Sequence, residues 1–246
     1  MILSPFNPII FLDGTKYGAE EDYIHTFAAS DHILIEIIHS ANEELPELSL
    51  YDVQSKLNFT LSLNTISIND YDFLSFYELS GLDEGVYYLK FGDLTSLPIQ
   101  ILPLELLNNT VLIQYASDTN CCRKDIVSLI TRGIRYFELR FIGGFKDEGW
   151  QFGVENEQFI TPDADIIELF ACDYTDKTLT IGSSAGVPTW LAELVNRILV
   201  SPLVFVDGIR YIRSNDSVPE RLRDYKPTQS DYVYTCGLLC VYLRGS

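Results

Sequence analysis

Short apolar runs interrupted by polar residues dominate the pattern along this chain. In residues 57–63 the leucines and one phenylalanine alternate with Asn, Thr and Ser. Because side chains on a β-strand point alternately to opposite faces, this period of two predicts a half-buried strand. A shorter apolar run, residues 33–38, reads Ile-Leu-Ile-Glu-Ile-Ile and predicts another strand.

A glycine turn followed by two tyrosines stands in residues 82–91. This segment resembles the tyrosine corner of immunoglobulin-like sandwiches, where a tyrosine at the start of a late strand hydrogen-bonds back to the preceding turn. Tyr87 or Tyr88 would take that role here. An ordinary hairpin with two aromatic residues is the alternative.

Residues 97–101 predict the last strand of this first part of the chain. Pro98 has no amide hydrogen to donate to a neighbouring strand, so an edge position is expected. We place a domain boundary near Pro103 and expect residues 1–103 to form an immunoglobulin-like antiparallel β-sandwich.

The remainder, residues 104–246, predicts a second domain that is rich in strands and is covered by one helix. Apolar residues at helical spacing after Pro188 predict an amphipathic helix over residues 188–200. No alternation of strands with helices occurs, so we expect a mainly β fold without a parallel sheet here. Strands are predicted at residues 110–116, 136–142, 165–171, 177–181 and 231–243.

A β-hairpin is predicted over residues 203–213. Asp207-Gly208 lies there between two apolar runs. This dipeptide favours a two-residue turn, because both central residues of that turn adopt positive φ.

Composition and charge exclude several classes of function. The chain has 246 residues, of which 47% are hydrophobic and 21% charged, and it carries a formal net charge of −18. Residues 1–103 contribute −13 with no arginine, and residues 104–246 contribute −5. A surface this acidic does not suit nucleic acid or an anionic membrane, both of which need Lys and Arg. The more balanced second part is the expected contact surface.

The five cysteines and the first residues of the chain indicate a cellular compartment. The cysteine count is odd and Cys121 is adjacent to Cys122, which is a poor basis for a disulfide framework. The first residues lack the basic and apolar regions of a signal peptide. We therefore expect cytoplasmic synthesis with reduced thiols.

One motif is compatible with hydrolase chemistry. Residues 182–186 read G-x-S-x-G between a predicted strand and a predicted helix, as in a nucleophile elbow with Ser184 as the nucleophile. That chemistry requires a histidine base near the serine, but His25, His32 and His39 all lie far upstream. A Gly/Ser turn that leads into a helix is the favoured interpretation.

Metal and cofactor motifs are also weak. On one strand His32 and His39 would lie roughly 23 Å apart and on opposite faces, so they cannot share a zinc ion. Two acidic groups, residues 20–22 and residues 163–168, lack the spacing of an EF-hand calcium loop. We expect no catalytic residue, no cofactor and no metal site.

Three segments of the second part resemble a known group of proteins. This group consists of poorly characterised proteins encoded in phages and prophages of gut anaerobic bacteria, among virion or tail-associated genes. The resemblance covers about residues 110–217 and brings no catalytic motif with it. It is carried by residues 112–115 with 118–120, residues 137–145, and residues 177–182 running into 186–191 and 206–214.

The resemblance implies a non-enzymatic structural or assembly protein of a phage tail or prophage particle. Its partners would be proteins, with self-assembly into a ring or oligomer as one form, and it would be assembled into a virion. A module that binds carbohydrate or another surface ligand, near Trp150 or tyrosine-rich loops, is the first alternative. A serine hydrolase that uses Ser184 is the second.

Overall fold

The first half of the protein is built from short strands. The computed structural model describes residues 1–12, 23–117, 135–145, 151–182, 187–213, 220–223 and 232–240. The strands of this half are β1 (Ile2–Leu3), β2 (Phe11–Leu12), β3 (His25–Ala28), β4 (Ile33–Ser40), β5 (Leu48–Asp52), β6 (Asn58–Leu61), β7 (Asn64–Ser67), β8 (Asp72–Leu79), β9 (Gly85–Phe91), β10 (Leu94–Ser96) and β11 (Ile99–Leu102).

These strands form two sheets. One has the order β1-β4-β8-β7, and the other has the order β2-β10-β9-β11-β3. In the second sheet β10 and β11 follow one another along one edge of β9, β5 pairs with its other edge, and β6 pairs with β5. The sheets curl into half-barrels. A cluster of buried side chains, here called the sandwich core, belongs to strands of both sheets and includes Phe27, Ile35, Leu50, Leu89, Phe91 and Ile99.

Tyr87 forms the bond predicted for a tyrosine corner. Its hydroxyl donates a hydrogen bond to the carbonyl oxygen of Asp83 at 3.0 Å. The prediction of an edge strand after Pro98 is wrong, because β11 pairs with β9 on one side and in parallel with β3 on the other. Pro98 precedes the paired residues, so every amide of β11 remains available as a donor.

The alternation in residues 57–63 corresponds to β6 and the chain leading to β7. Leu61 and Leu63 pack against the sandwich core as partly buried residues. Leu57 and Phe59, in contrast, are exposed. The prediction of a half-buried strand is therefore confirmed only in its second part, because β6 lies at the outer end of its sheet, where it pairs with β5 alone among the described strands.

The second half forms one large antiparallel sheet and one helix. The described strands have the order β14-β15-β13-β12-β16-β17-β19-β18, and β15 also pairs with β19. The elements, after a 3₁₀ turn at Leu104–Leu106, are β12 (Thr110–Ala116), β13 (Phe137–Phe145), β14 (Gln151–Ile160), β15 (Ile166–Ile181), α1 (Thr189–Ile198), β16 (Leu203–Val206), β17 (Ile209–Arg213), β18 (Glu220–Arg223) and β19 (Tyr232–Cys240).

The helix and the β16–β17 hairpin are confirmed. Pro188 precedes the first turn of α1, and the helix buries the apolar face that its spacing predicts. Asp207 and Gly208 both have positive φ, 48° and 79°. The two strands predicted at residues 165–171 and 177–181 are instead the single strand β15. The prediction of a mainly β fold is confirmed.

Residues from both sides of Pro103 share a second cluster, here called the shared core. The β4 strand explains how, since Ile33, Ile35 and Ile37 enter the sandwich core while Leu34 on the opposite face enters the shared core. A strand that is buried on both faces has no need of polar alternation. Members of the shared core include Phe6, Leu34, Leu74 and Phe76 of the first half and Ile113, Tyr115, Leu139, Leu191 and Val195 of the second.

A buried ion pair also joins the two halves. The Arg140 guanidinium donates to the Asp31 carboxylate from two nitrogens, at 2.6 and 2.8 Å. A third nitrogen donates to the Thr110 hydroxyl at 3.0 Å, and Asp31 accepts the amide hydrogen of Ala28 at 2.8 Å. Both charged side chains are almost fully buried.

Candidate protein-interaction surface

The strands β14 and β15 form a long hairpin that we call the hairpin arm, residues 151–176. Its strands pair continuously from Gln151 opposite Asp176 to Ile160 opposite Ile166, with one irregularity in register at Glu157/Gln158. At the tip, the amide of Thr161 donates to the carbonyl of Asp165 at 2.9 Å and closes the turn. The arm is therefore a two-stranded ribbon with one irregularity and a closed turn at its tip.

The ribbon extends beyond the rest of the sheet. The pairing of β15 with β19 begins only at Thr175, and the pairing with β13 is confined to residues 179–181. Within the described chain, residues 166–174 of β15 therefore have β14 as their only neighbour. At about 3.3 Å per residue, this two-stranded part is roughly 25 Å long.

Large apolar side chains of the arm are exposed on both of its faces. Phe152 is 79% exposed and Phe170 is 52% exposed. An isolated two-stranded ribbon is marginally stable in water, and a concentration of large exposed apolar side chains is typical of an interaction site. The exposed apolar side chains of the arm are Phe152, Val154, Phe159, Ile160, Ile166, Ile167, Leu169 and Phe170.

The arm also has a one-sided charge. Residues 151–176 contain seven carboxylates and neither Lys nor Arg, so their formal charge is −7. Since residues 104–246 sum to −5, the second half without the arm is slightly basic. The moderate acidity of the second half is therefore concentrated in the arm. Its carboxylates are Glu155, Glu157, Asp163, Asp165, Glu168, Asp173 and Asp176.

Among the described strands, none pairs with the outer edge of β14, which we call its open edge. β14 stands at the end of the sheet order, and β15 is its only partner strand in the described part of the chain. Every second amide and carbonyl of an edge strand is directed away from its own sheet and can pair with another chain. The arm thus combines an open strand edge with exposed apolar and acidic side chains.

The hydrolase alternative depends on Ser184. Ser184 lies outside the described residues, between Gly182 and Val187. The ring of His25 lies 5.3 Å from that of Trp190 on α1. Its Nε2 accepts the amide hydrogen of Ile10 at 3.4 Å, and burial lowers its pKa to about 3. His25 is accordingly a weak base.

The other predicted positions are distributed over the first half and the arm. His32 bonds to Glu78 and His39 bonds to Ser75. Within the described chain, no three His, Cys, Asp or Glu residues are grouped so that they could hold a metal ion, the arm included. Residues 20–22 and Trp150 lie outside the described part. None of the described helices has the length and apolar character of a membrane span.

A cleft of about 400 Å³ separates the N-terminal segment from α1. Arg197 of α1 donates a hydrogen bond to the carbonyl of Pro5 at 2.8 Å across it. The indole nitrogen of Trp190 is buried and has no hydrogen-bond partner among the described residues. The cleft is lined on its apolar side by Ile9, Ile10, Phe11, Trp190 and Leu194.

No family model, no curated protein and no solved structure matches this chain. The resemblance to phage tail-associated proteins therefore stays a prediction.

Proposed function

We propose that this protein is a non-enzymatic assembly component that binds another protein through the hairpin arm. The observation that carries the proposal is the arm itself, a projecting ribbon with eight large exposed apolar side chains. Burying one such side chain contributes about 1.5–3 kcal/mol. Contact with a partner would also support a ribbon that has few tertiary contacts of its own.

The architecture of residues 1–103 supports a scaffold role for the first half. The order β1-β4-β8-β7 in one sheet and β6-β5-β9 with β10 and β11 in the other suits an immunoglobulin-like sandwich, as does the Tyr87 corner. Such modules commonly serve as spacers and contact domains rather than as enzymes. We propose this finer fold assignment together with the function.

Assembly in a phage tail or prophage particle is the most specific form of the proposal. Projecting arms suit particles in which each subunit engages its neighbour. The cheapest test of this context is the gene neighbourhood. Adjacent tail or baseplate genes would support a virion role, whereas neighbouring genes for metabolism would contradict it.

Site-specific photo-crosslinking tests the contact itself. A photoreactive phenylalanine analogue at Phe159, in the cells that make the protein, should give one discrete adduct. The matched control is the same analogue at Tyr71, which is an exposed aromatic residue in the turn before β8. Equal adducts from both positions, or none from Phe159 and from Phe170, would show that the arm has no partner.

The cleft beside α1 supports a second candidate, a small-ligand binding module. Its volume of about 400 Å³ lies within the range of ligand pockets, and its apolar lining includes the Trp190 indole, whose nitrogen has no partner in the part of the chain that the structure describes. Filling the cleft with Leu194→Trp should abolish glycan or small-molecule binding on an array. Identical array profiles for both proteins would remove this candidate.

A further inference from the structure

We infer that the partner of the hairpin arm supplies a basic, apolar β-strand that pairs with the open edge of β14. The inference builds on the proposed function, because it assumes that the arm is a binding surface. It adds the chemical nature of the partner and the mode of contact. Three properties of β14 point to such a partner: its open edge, the side chains on its two faces and its charge.

The open edge determines the mode of contact. An extended segment that lies beside β14 gains main-chain hydrogen bonds along the strand, as in other complexes formed by strand addition. Phe152, Val154 and Ile160 share one face of β14 with polar residues between them, and Glu155, Glu157 and Phe159 share the other. A strand with apolar residues on one face, and with cations opposite Glu155 and Glu157 on the other, matches both faces.

The charge of the arm determines the sign of the partner. Seven carboxylates without a cation attract Lys and Arg and repel acidic surfaces. Directly opposite residues on paired strands lie close enough for their charges to interact. A cation opposite Glu155 or Glu157 is therefore stabilising, and a carboxylate there is destabilising.

The same carboxylates argue against a second copy of this chain on β14. Two copies related by a two-fold axis pair antiparallel, and the two registers of longest overlap centre on Glu155 or on Asn156. The first places Glu155 opposite its own copy, and the second places Glu155 opposite Glu157. Each register brings like charges together, a device by which edge strands resist self-pairing. Total charge adds to this, since every copy carries −18.

A peptide of defined sequence can test the inference on the full-length protein. The probe is a fluorescent eleven-residue peptide in which Val and Lys alternate, and its binding is followed by fluorescence anisotropy. The matched peptide replaces every Lys with Glu. We expect the Val/Lys peptide to bind and the Val/Glu peptide not to bind, with affinity falling as salt is added.

Two protein variants locate the contact. Glu155→Gln with Glu157→Gln should weaken binding of the Val/Lys peptide by about fivefold or more. The matched control, Glu84→Gln with Asp93→Asn, removes two exposed carboxylates from the first half and should leave affinity unchanged. Equal losses in both variants would show that only the net charge matters, and would overturn the inference.

The strand geometry has its own control. Two versions of the Val/Lys peptide, one N-methylated at its odd positions and the other at its even positions, each lack the main-chain donors of one strand edge. The version that lacks the donors facing β14 should lose binding, and the other version should keep it. If both versions bind as well as the unmodified peptide, strand addition is refuted.

Failure of this inference can be told apart from failure of the proposed function. Light scattering that reveals an oligomer, dispersed by Phe152→Ser with Ile160→Ser, would mean that the arm binds a second copy. That result keeps the proposed function and overturns the basic partner. A discrete adduct from Phe159 without any peptide binding would do the same. The absence of any photo-crosslinked adduct from Phe159 and from Phe170 would overturn both the inference and the proposed function.

Discussion

The Asp31–Arg140 pair offers the sharpest test of how the two halves are held together. Asp31→Ala removes the carboxylate that accepts two hydrogen bonds from Arg140 and one from Ala28. The guanidinium then stays buried with the Thr110 hydroxyl as its remaining acceptor among the described residues. Breaking a buried pair from one side costs about 3–5 kcal/mol. This is a large fraction of the roughly 5–15 kcal/mol that stabilises a typical protein.

Urea unfolding followed by circular dichroism measures this cost. The matched control is Glu78→Gln, which removes an exposed partner 2.7 Å from His32 and should cost at most about 1 kcal/mol. The double variant, Asp31→Ala with Arg140→Met, leaves no uncompensated charge buried. Its loss in unfolding free energy should therefore be smaller than the sum of the two single-variant losses by at least about 2 kcal/mol. If Asp31→Ala costs no more than Glu78→Gln, the pair does not hold the halves together.

Three further predictions concern single side chains. Burial raises the pKa of Glu36 to about 8 from 4.5, so the folded protein keeps a proton that the unfolded chain releases, and stability should fall as pH rises from about 4.5 to 8. Glu36→Gln should therefore stabilise the protein at pH 8 by about 4 kcal/mol and leave it nearly unchanged at pH 4.5, as measured by urea unfolding. Burial lowers the pKa of His25 to about 3, so its NMR ring signals should stay constant from pH 8 to pH 4, and a midpoint above pH 5 would contradict its burial. Tyr87→Phe removes the bond to Asp83 and should lower the unfolding free energy by about 0.5–1.5 kcal/mol, whereas an equal loss in Tyr88→Phe would refute the assignment of the corner.

Elements whose signals are local could be predicted from the sequence. The β16–β17 turn needs positive φ at Asp207 and Gly208, and the dipeptide itself favours that conformation. Helix α1 follows from Pro188 and the spacing of its apolar residues. In both cases the residues that form the element also contain the physical reason for it.

The arm could not be predicted in this way. Phe152 and Val154 stand at even positions and Phe159 at an odd one, and four polar residues separate Val154 from Phe159. Apolar and polar residues therefore do not alternate regularly along β14. The acidic turn at residues 161–165 was the available signal, since Pro and Asp favour turns. The sequence predicts two strands where the structure has the single strand β15, because a polar stretch at residues 173–176 interrupts the apolar pattern.

Local sequence patterns also could not predict which strands pair with one another. Nothing in residues 99–102 indicates that β3 lies beside them in parallel. Nor does the run in β4 indicate that its two faces enter different cores. Both facts depend on residues far away in the chain, and the period of a single strand carries no information about them.

The burial of β4 on both of its faces determines which truncated forms of the protein can be soluble. A fragment that stops at Pro103 keeps the sandwich core but presents Leu34, Leu74 and Phe76 to water. That surface evolved as an interior, and uncovered it would promote precipitation. Soluble material is therefore expected from clones that carry both halves, and sequence drift in either half is constrained by the other.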